Sequence, residues 1–171
     1  MHEFAHKKSA SQVLNENFMQ HTDETDLKIL RVMQQDGSLT ISEIAERVGL
    51  SQSPCSRRIS RMEEEGIILG RSVILDRKKL GFDAIVLVRI KLSSHGRQSI
   101  SVFQEAAMRI PEVQVIQLML GDFDFNVRIV VRDMDHFQTL LREKIVMLPG
   151  VQELQSTVLL EEMKYTTSLP L

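Results

Sequence analysis

The chain changes its hydrophobic periodicity near its middle, from the three-to-four-residue spacing of helices to the two-residue alternation of strands. In the first half, apolar residues recur at helical spacing over residues 26–35 and 41–48, and a third such segment follows Ser51. In the second half, apolar and polar side chains alternate over residues 85–92 and 125–131, as in strands with one buried face. The pattern therefore predicts a helical N-terminal part and a mixed C-terminal part.

Residues 39–66 predict a helix, a tight turn and a second helix. Thr40 and Glu43 have the Thr-x-x-Glu spacing of a capping box, so a helix is expected to begin directly after the threonine. Gly49 is expected to end that helix, and Ser51 can cap the next one after a single intervening residue. Two short helices joined so tightly form a helix-turn-helix, whose second helix enters the major groove of DNA.

The polar face of the second helix suits contact with DNA. Residues 51–62 contain three arginines and no acid, and the other polar side chains are serines and one glutamine, which let a helix approach base edges. The candidate DNA-binding residues are Gln52, Ser53, Ser56, Arg57, Arg58, Ser60 and Arg61. The alternative is an ordinary helical hairpin with a solvated polar face, because short helix pairs are common.

The predicted elements of the second half follow one another as β-α-β-β-α-β. The strands are expected over residues 85–92, 113–120, 125–131 and 154–160, and the helices over residues 98–109 and 133–147. This order is that of the ferredoxin-like, split βαβ fold.

An internal repeat supports this order. Ile110-Pro111-Glu112-Val113-Gln114 is echoed by Leu148-Pro149-Gly150-Val151-Gln152, and Gln117 is echoed by Gln155. Each copy follows a predicted helix and is expected to start an inner strand of the sheet. Chance similarity over so few residues is the alternative.

The elements divide the chain into four regions. They are a flexible N-terminal tail over residues 1–22, a winged-helix-like helix-turn-helix domain over 23–69, a linker strand over 70–83 and a ferredoxin-like βαββαβ domain over 84–171. The expected fold class is therefore α+β, with two small domains of different architecture.

Charge and composition narrow the function. The 171 residues carry a formal net charge of −2, so any contact with double-stranded DNA must come from a local basic patch. No apolar run approaches the ~20 residues of a membrane-spanning helix, and we expect no membrane association. Cys55 is the only cysteine, which excludes an intrachain disulfide and suits a reducing cytoplasm.

No catalytic or metal-binding constellation stands out in the sequence. The five histidines include no pair at metal-ligand spacing, and we find no Ser/His/Asp arrangement and no phosphate-binding loop. Cys55 lies on the apolar face of its predicted helix and is interpreted as a core residue rather than a nucleophile. We therefore expect a protein that is not an enzyme and uses no metal or other cofactor.

Seven short motifs, in order from about residue 23 to the C-terminus, resemble the Lrp/AsnC family of leucine-responsive, or feast/famine, transcription regulators. Each motif is weak alone, but the ordered series is specific. The motifs are Asp26-Leu27-Lys28-Ile29-Leu30, Ile44-Ala45-Glu46-Arg47-Val48-Gly49-Leu50-Ser51, Pro54-Cys55-Ser56-Arg57-Arg58-Ile59, Leu80-Gly81-Phe82-Asp83, Gly121-Asp122-Phe123-Asp124-Phe125, Leu148-Pro149-Gly150-Val151 and Lys164-Tyr165-Thr166-Thr167. At Phe125 family members often carry tyrosine, so a hydroxyl is missing here.

The resemblance implies a helix-turn-helix followed by a ferredoxin-like module that binds small effectors, usually amino acids. It also implies a homodimer whose dimers assemble into a tetramer or octamer. The effector is then held between dimers, near the loop formed here by residues 121–124. The candidate effector-binding residues are Met119, Leu120, Gly121, Asp122 and Asp124.

The chemistry of this loop agrees with an amino-acid site. The two aspartates can accept hydrogen bonds from an ammonium group, while Met119, Leu120 and Phe125 could face the effector's side chain. The alternative is a plain β-turn with solvated aspartates. A metal site is a weaker interpretation, since two carboxylates without a nearby histidine make a poor ligand set.

The leading hypothesis is a sequence-specific transcription regulator of amino-acid metabolism that responds to an amino acid. A second is an amino-acid-sensing module whose helix-turn-helix contacts proteins. A third, a small enzyme on a ferredoxin-like fold, would need catalytic groups that we do not find. The effector, the operator, the direction of regulation, its local or global range and the final oligomeric state stay open.

Overall fold

The computed structural model describes residues 22–94 and 96–171 and divides the chain into two compact units. The first unit contains the residues up to Val73 together with Thr166–Leu171, and the second is Ile74–Tyr165. The expected tail falls almost entirely outside the described residues. Among the helices that are described, none is long and apolar enough to cross a membrane.

The described part of the first unit contains three helices, which are α1 (Glu24–Gln35), α2 (Ile41–Val48) and α3 (Gln52–Glu64). Helix α1 starts two residues earlier than expected, because Asp23 and Asp26 form a reciprocal capping box. The Asp26 N–H donates to Asp23 Oδ1 over 2.8 Å, and the Asp23 N–H donates to Asp26 Oδ2 over 3.1 Å. A pair of acids therefore satisfies the free N–H groups of the first turn.

The predicted capping box of α2 is confirmed. The Glu43 N–H donates to Thr40 Oγ1 over 3.3 Å, and Glu43 Oε2 accepts from the Thr40 N–H over 2.7 Å. Gly49 ends the helix at φ 71°, a conformation that suits a residue without Cβ. Ser51 precedes α3 as expected, but its side chain makes no capping hydrogen bond.

The apolar sides of the three helices meet in one core. Helix α3 contributes the spaced residues Cys55, Ile59 and Met62, which are all buried. The other buried members are Ile29, Leu39, Ile44 and Ala45. Because this side of α3 faces inward, the polar residues between its apolar positions are directed away from the core.

The C-terminal end of the chain belongs to this first unit rather than to the ferredoxin-like domain. The Leu169 N–H donates to Gln34 Oε1 over 2.6 Å, and Gln34 Nε2 donates to the Leu169 carbonyl over 3.3 Å. The side-chain amide thus pairs with an extended backbone as a neighbouring strand would. The last six residues of the expected domain over 84–171 thus pack with the first unit.

The expected linker strand over 70–83 is wrong, since the chain is irregular there. An extended segment becomes a strand only when its backbone pairs with another, and no described strand lies beside this one. Residues 76–82 instead form an ordered turn. Asp76 Oδ1 accepts from the Lys78 N–H over 3.0 Å, and Arg77 Nη1 donates to the carbonyls of Phe82 and Asp83 over 2.5 and 2.9 Å.

The second unit has the predicted β-α-β-β-α-β order. Its elements are β1 (Ala84–Leu92), α4 (Arg97–Ala107), β2 (Val113–Leu118), β3 (Phe125–Val131), α5 (Met134–Leu140) continued by a π-helical turn (Leu141–Ile145), and β4 (Val151–Val158). The antiparallel sheet has the strand order β2-β3-β1-β4, as in ferredoxin-like folds.

Alternate residues of the central strands bury one face of this sheet under the helices. Val86, Val88 and Ile90 of β1 share a core with Phe103 of α4 and Phe137 of α5. Residues between these positions lie on the opposite face, called here the outer face of the sheet. The alternation read from the sequence therefore separates the two faces correctly.

The internal repeat marks two equivalent turns. The Val113 N–H donates to the Ile110 carbonyl over 3.0 Å, and the Val151 N–H donates to the Leu148 carbonyl over 3.4 Å. Each turn opens a strand, but these are the edge strands β2 and β4, so the expectation of inner strands is wrong. Each helical crossover carries the chain past a central strand to the outside of the sheet.

The caps of α2 and α3 yield a test of stability. We expect Thr40→Ala to lower the free energy of unfolding by about 1 kcal/mol, because it removes a capping hydrogen bond. Ser51→Ala is the matched control and should cost clearly less, since Ser51 makes no such bond. Urea unfolding followed by helical circular dichroism measures both, and equal losses would contradict the assignment.

The loss of stability caused by Thr40→Ala should depend on pH. The Thr40 hydroxyl, followed by the Thr40 N–H, holds the pKa of Glu43 below its ordinary value. The stability from this contact is present above the unfolded pKa and is lost as the pH falls through the lower folded value. The difference between wild type and Thr40→Ala should therefore shrink in acid.

Candidate DNA-binding helix and effector loop

Helix α3 presents a polar surface opposite its buried side. Four of the predicted DNA-binding residues, Gln52, Ser53, Arg57 and Ser60, are exposed, and Ser56 is half-buried. The helix is held close to α2 by the turn after Gly49, where the Leu50 N–H donates to the Ala45 carbonyl over 2.9 Å. The structure thus brings these five side chains together on one short helix.

The two remaining predicted residues, Arg58 and Arg61, are turned toward α1. Arg58 Nη1 lies 2.9 Å from Asp26 Oδ1 and 2.7 Å from Asp23 Oδ2, and Arg61 Nη2 lies 2.5 Å from Asp26 Oδ2. These hydrogen bonds, first that with Asp26, raise the pKa of Arg58. The pKa of Asp23 is lowered by the Asp26 N–H and then by Arg58.

Sequence reasoning missed Asp26 as the partner of these arginines. A signal was present, since Asp26 lies three residues before the buried Ile29 and therefore on the same side of α1. An acid at a core-facing position requires a cation nearby. The sequence could not show which of the three arginines of α3 would supply it.

The candidate effector loop joins β2 to β3. Its apolar side chains are open to solvent in the single chain, with Leu118 exposed by 60%, Met119 by 36% and Leu120 fully. Gly121 follows at φ 156°, a backbone conformation that side chains rarely adopt, and Asp122 is exposed. The loop therefore places exposed apolar side chains next to the exposed carboxylate of Asp122.

Asp124 has a different environment from Asp122. Its Oδ2 accepts from the Leu92 N–H over 2.7 Å, and its N–H donates to the Ile90 carbonyl over 3.0 Å. Its carbonyl accepts from the Met119 N–H over 2.7 Å. Asp124 therefore ties the loop to the end of β1.

The two phenylalanines of the loop motif, Phe123 and Phe125, also lie in different environments. Phe125 is buried against Phe103, with ring centroids 4.4 Å apart, so it lies in the core and not beside an effector. The missing tyrosine hydroxyl would have to be buried at this position. The guanidinium of Arg89 instead lies over the ring of Phe123, with Arg89 Cζ 4.9 Å from the ring centroid.

A row of polar side chains crosses the outer face of the sheet next to this loop, and sequence reasoning missed it. Strand register places Gln117 of β2, Asn126 of β3, Arg89 of β1 and Gln155 of β4 side by side. Asn126 Nδ2 donates to Gln117 Oε1 over 2.9 Å, and Arg89 donates to Gln155. The two repeated glutamines thus occupy the two ends of the row, and each is hydrogen-bonded to its neighbour on a central strand.

A second arginine of the outer face anchors the segment after β4. Both terminal nitrogens of Arg128 donate to the carboxylate of Glu162, over 2.6 and 3.1 Å. The guanidinium also lies 5.7 Å from the ring centroid of Tyr165. The hydrogen bond to Arg128 lowers the pKa of Glu162 below its ordinary value.

Within the part of the chain that the structure describes, no three histidine, cysteine or acidic side chains gather as metal ligands would. Cys55 is buried in the core of the first unit, and burial raises the pKa of its thiol. His95 lies outside the described residues.

Comparison with known proteins agrees with both halves of this architecture. Residues 22–68 match a model described as winged helix-turn-helix DNA-binding, and residues 85–169 match the Lrp/AsnC ligand binding domain. The DNA-binding transcriptional activator DecR of Escherichia coli K12 is 34% identical, over 87% of this chain and 98% of that protein. The chain belongs to the Lrp/AsnC family.

Solved structures place this Lrp/AsnC protein beside known regulators. An AsnC family transcriptional regulator from Agrobacterium tumefaciens superposes with a TM-score of 0.82 at 37% identity, over 87% of this chain and 97% of that one. A transcriptional regulator from Neisseria meningitidis, solved in complex with L-methionine, also gives 0.82, at 33% identity over 86% and 96% of the two chains. The protein is a DNA-binding transcription regulator and not an enzyme.

The contrast between the two loop aspartates can be tested by stability. We expect Asp124→Ala to lower the free energy of unfolding by about 1–3 kcal/mol, because it leaves the N–H of the buried Leu92 without its acceptor. Asp122→Ala, in the same loop but exposed, should change it by less than about 0.5 kcal/mol. Chemical denaturation compares them, and equal effects would argue against a structural role for the Asp124 carboxylate.

Proposed function

We propose that this Lrp/AsnC regulator reads its operator with α3 and responds to an amino acid bound at the loop between β2 and β3. The DNA-reading residues are Gln52, Ser53, Ser56, Arg57 and Ser60. The observation that carries the first part is the division of α3 into a buried apolar side and an exposed polar side, which carries no acid before Glu63 at the C-terminal end of the helix. Such a surface can enter the major groove without repelling phosphates.

Arg57 is the central residue of this proposal. Its side chain is exposed on α3, whereas Arg58 and Arg61 are engaged by acids of the first turn of α1. A guanidinium reaches guanine with two hydrogen bonds in the major groove, and the neighbouring serines are short enough to permit the approach. Arg57 is therefore the base-reading candidate of the helix.

The DNA-reading assignment is tested with an operator enriched by this protein from a random pool of DNA. We expect Arg57→Ala to weaken operator binding by about 1–3 kcal/mol and to relax specificity, as loss of a base contact does. Arg31→Ala is the control, because it removes the same charge from α1, where Arg31 pairs with Glu24 on the surface. Equal gel-shift affinities of the two variants would reject Arg57 as a reading residue.

The effector part of the proposal is supported by the chemistry of the loop. An exposed carboxylate at Asp122 can accept hydrogen bonds from an ammonium group, and the adjacent Met119 and Leu120 offer an apolar surface to a side chain. Gly121 allows a ligand to approach the backbone. The complex of the Neisseria relative with L-methionine supports an amino acid as the ligand class.

Asp124 has a different role in this proposal, which is to position the loop. Because its carboxylate is hydrogen-bonded to the Leu92 N–H, it holds the loop in place for the ligand. It therefore shapes the site while Asp122 contacts the effector. This division of roles replaces the initial expectation that both aspartates bind the ammonium group directly.

We propose in addition that the effector site is completed by assembly. A ligand on the loop of one chain would stay largely solvated, whereas ligand sites bury most of the ligand surface. Leu118, Leu120, Leu160 and Met163 are exposed apolar side chains of the same unit, which favours contact with further copies. We therefore propose a homodimer whose dimers assemble into a tetramer or octamer, with the effector between dimers.

The outer face of the sheet offers little apolar surface to such a dimer. Ile85 and Val130 are already buried in the single chain, with 1% and 5% exposure, and Leu87 is only partly exposed. A partner sheet on this face would meet the polar row of Gln117, Asn126, Arg89 and Gln155 more than an apolar surface.

A cytoplasmic location, where a reduced Cys55 is stable, stays a prediction.

A thermal-shift screen of the twenty amino acids tests the effector. A ligand that binds only the folded protein raises its melting temperature, and we expect at least one amino acid to do so and to change the oligomer distribution in light scattering. Asp122→Ala should bind operator DNA but lose both responses. Glu105→Ala, which removes the same charge from the surface of α4, should respond normally.

Two results would contradict this assignment. A monomer at micromolar concentration, with and without every amino acid, would reject the assembly. A normal response of Asp122→Ala would leave that residue as an ordinary turn residue.

A further inference from the structure

Asp26 is the buried charged residue of the described chain, and its place in the fold is unusual for a carboxylate. Its side chain is 1% exposed, in the first turn of α1 beside the core that contains Ile29. A buried carboxylate is costly unless its oxygens are hydrogen-bonded and its charge is paired. The groups around it therefore indicate what the residue does.

Both oxygens of Asp26 are fully engaged. Oδ1 accepts from Arg58 over 2.9 Å, while Oδ2 accepts from Arg61 over 2.5 Å and from the Asp23 N–H over 3.1 Å. Asp23 itself returns a hydrogen bond to the Asp26 N–H and binds Arg58 as well. The carboxylate is thus locked to the backbone of α1 on one side and to two side chains of α3 on the other.

This geometry acts on the orientation of α3 more than on stability. Replacing a buried ion pair by apolar residues is often neutral or stabilising, so a pair of this kind is weak grounds for a stability role. Arg58 and Arg61 lie three residues apart, on one side of α3. Holding both against one point of α1 restricts the rotation of α3 about its own axis, and thereby sets where Arg57 points.

The same contacts keep two positive charges away from DNA. The side chains of Arg58 and Arg61 are 33% and 37% exposed, so a modest rotation would bring them into solvent. While they remain on Asp26, the outward surface of α3 over residues 52–60 carries Arg57 and neutral side chains, and the exposed acids follow only at the end of the helix. Phosphate attraction, which acts on every DNA sequence, is then limited.

We propose that Asp26 is a positioning residue for operator recognition: it orients the reading helix and withholds Arg58 and Arg61 from DNA phosphates. This inference rests on the proposed reading role of α3. It assigns specificity to a residue that touches no DNA.

The test compares Asp26→Asn with Glu24→Gln, using the operator selected by the wild-type protein and a scrambled duplex of the same length. Both substitutions remove one negative charge from the first turn of α1, but Glu24 pairs with Arg31, which is not on α3. For Asp26→Asn we expect the ratio of operator to scrambled affinity to fall about tenfold, the size of one lost base contact. Scrambled DNA should bind more tightly.

Salt dependence separates positioning from a merely structural role. Each released guanidinium that reaches a phosphate steepens the slope of log K against log salt by about 0.9. Asp26→Asn should therefore show a steeper slope on both duplexes, while Glu24→Gln should match the wild type. If the two variants behave alike, or if Asp26→Asn lowers only the melting temperature, the proposal is overturned.

A triple variant, Asp26→Asn with Arg58→Gln and Arg61→Gln, keeps the test decisive if the single variant does not fold. It replaces the charged network by neutral amides and leaves no buried charge unpaired. We expect a wild-type salt slope, because these arginines do not meet phosphates in the native complex. A slope flattened by about 0.9 per arginine would overturn the proposal.

Failure of this inference can be told apart from failure of the proposed function. If Arg57→Ala weakens operator binding while Asp26→Asn resembles Glu24→Gln, α3 reads the operator but Asp26 does not position it. If Arg57→Ala has no effect, the reading helix itself is wrongly assigned, and the role of Asp26 falls with it.

Discussion

A carboxylate removed from water must find donors for both oxygens, and this requirement at Asp26 organises the DNA-binding unit. The donors come from the capping box of α1 and from two arginines of α3, so one side chain joins α1 to the second helix of the helix-turn-helix. The apolar core constrains the rotation of α3 less sharply, because the hydrophobic effect is non-directional. Hydrogen bonds to fixed oxygens are directional, and they restrict that rotation further.

The ferredoxin-like unit uses the same principle at the proposed effector loop. The carboxylate of Asp124 accepts a hydrogen bond from the Leu92 N–H, where β1 ends. This bond holds the exposed apolar loop at the edge of the sheet. The polar row from Gln117 to Gln155, made of two hydrogen-bonded pairs, crosses all four strands beside this loop. In both units a polar contact positions the functional surface, while apolar burial supplies most of the stability.

Much of the fold and part of the site could be predicted because their causes are local. The capping box at Thr40, the glycine that ends α2 and the buried spacing of Cys55, Ile59 and Met62 depend on residues within a few positions of one another. The β-α-β-β-α-β order follows from alternation and from the repeated proline turns. The ordered motifs of the Lrp/AsnC family added the proposal of an effector loop, which periodicity could not have supplied.

What only the tertiary structure decided is which partner each polar group meets. Asp26 and Arg58 are 32 residues apart in sequence, as are Leu92 and Asp124, and no local pattern selects such pairs. The sequence by itself determined the elements, their buried faces and the family. The structure decided that α3 offers one arginine outward and holds two, that the repeated turns open edge strands, and that residues 70–83 form no strand. These outcomes depend on how distant segments pack, because a charge, a strand edge or an extended backbone is satisfied only by what the fold brings beside it.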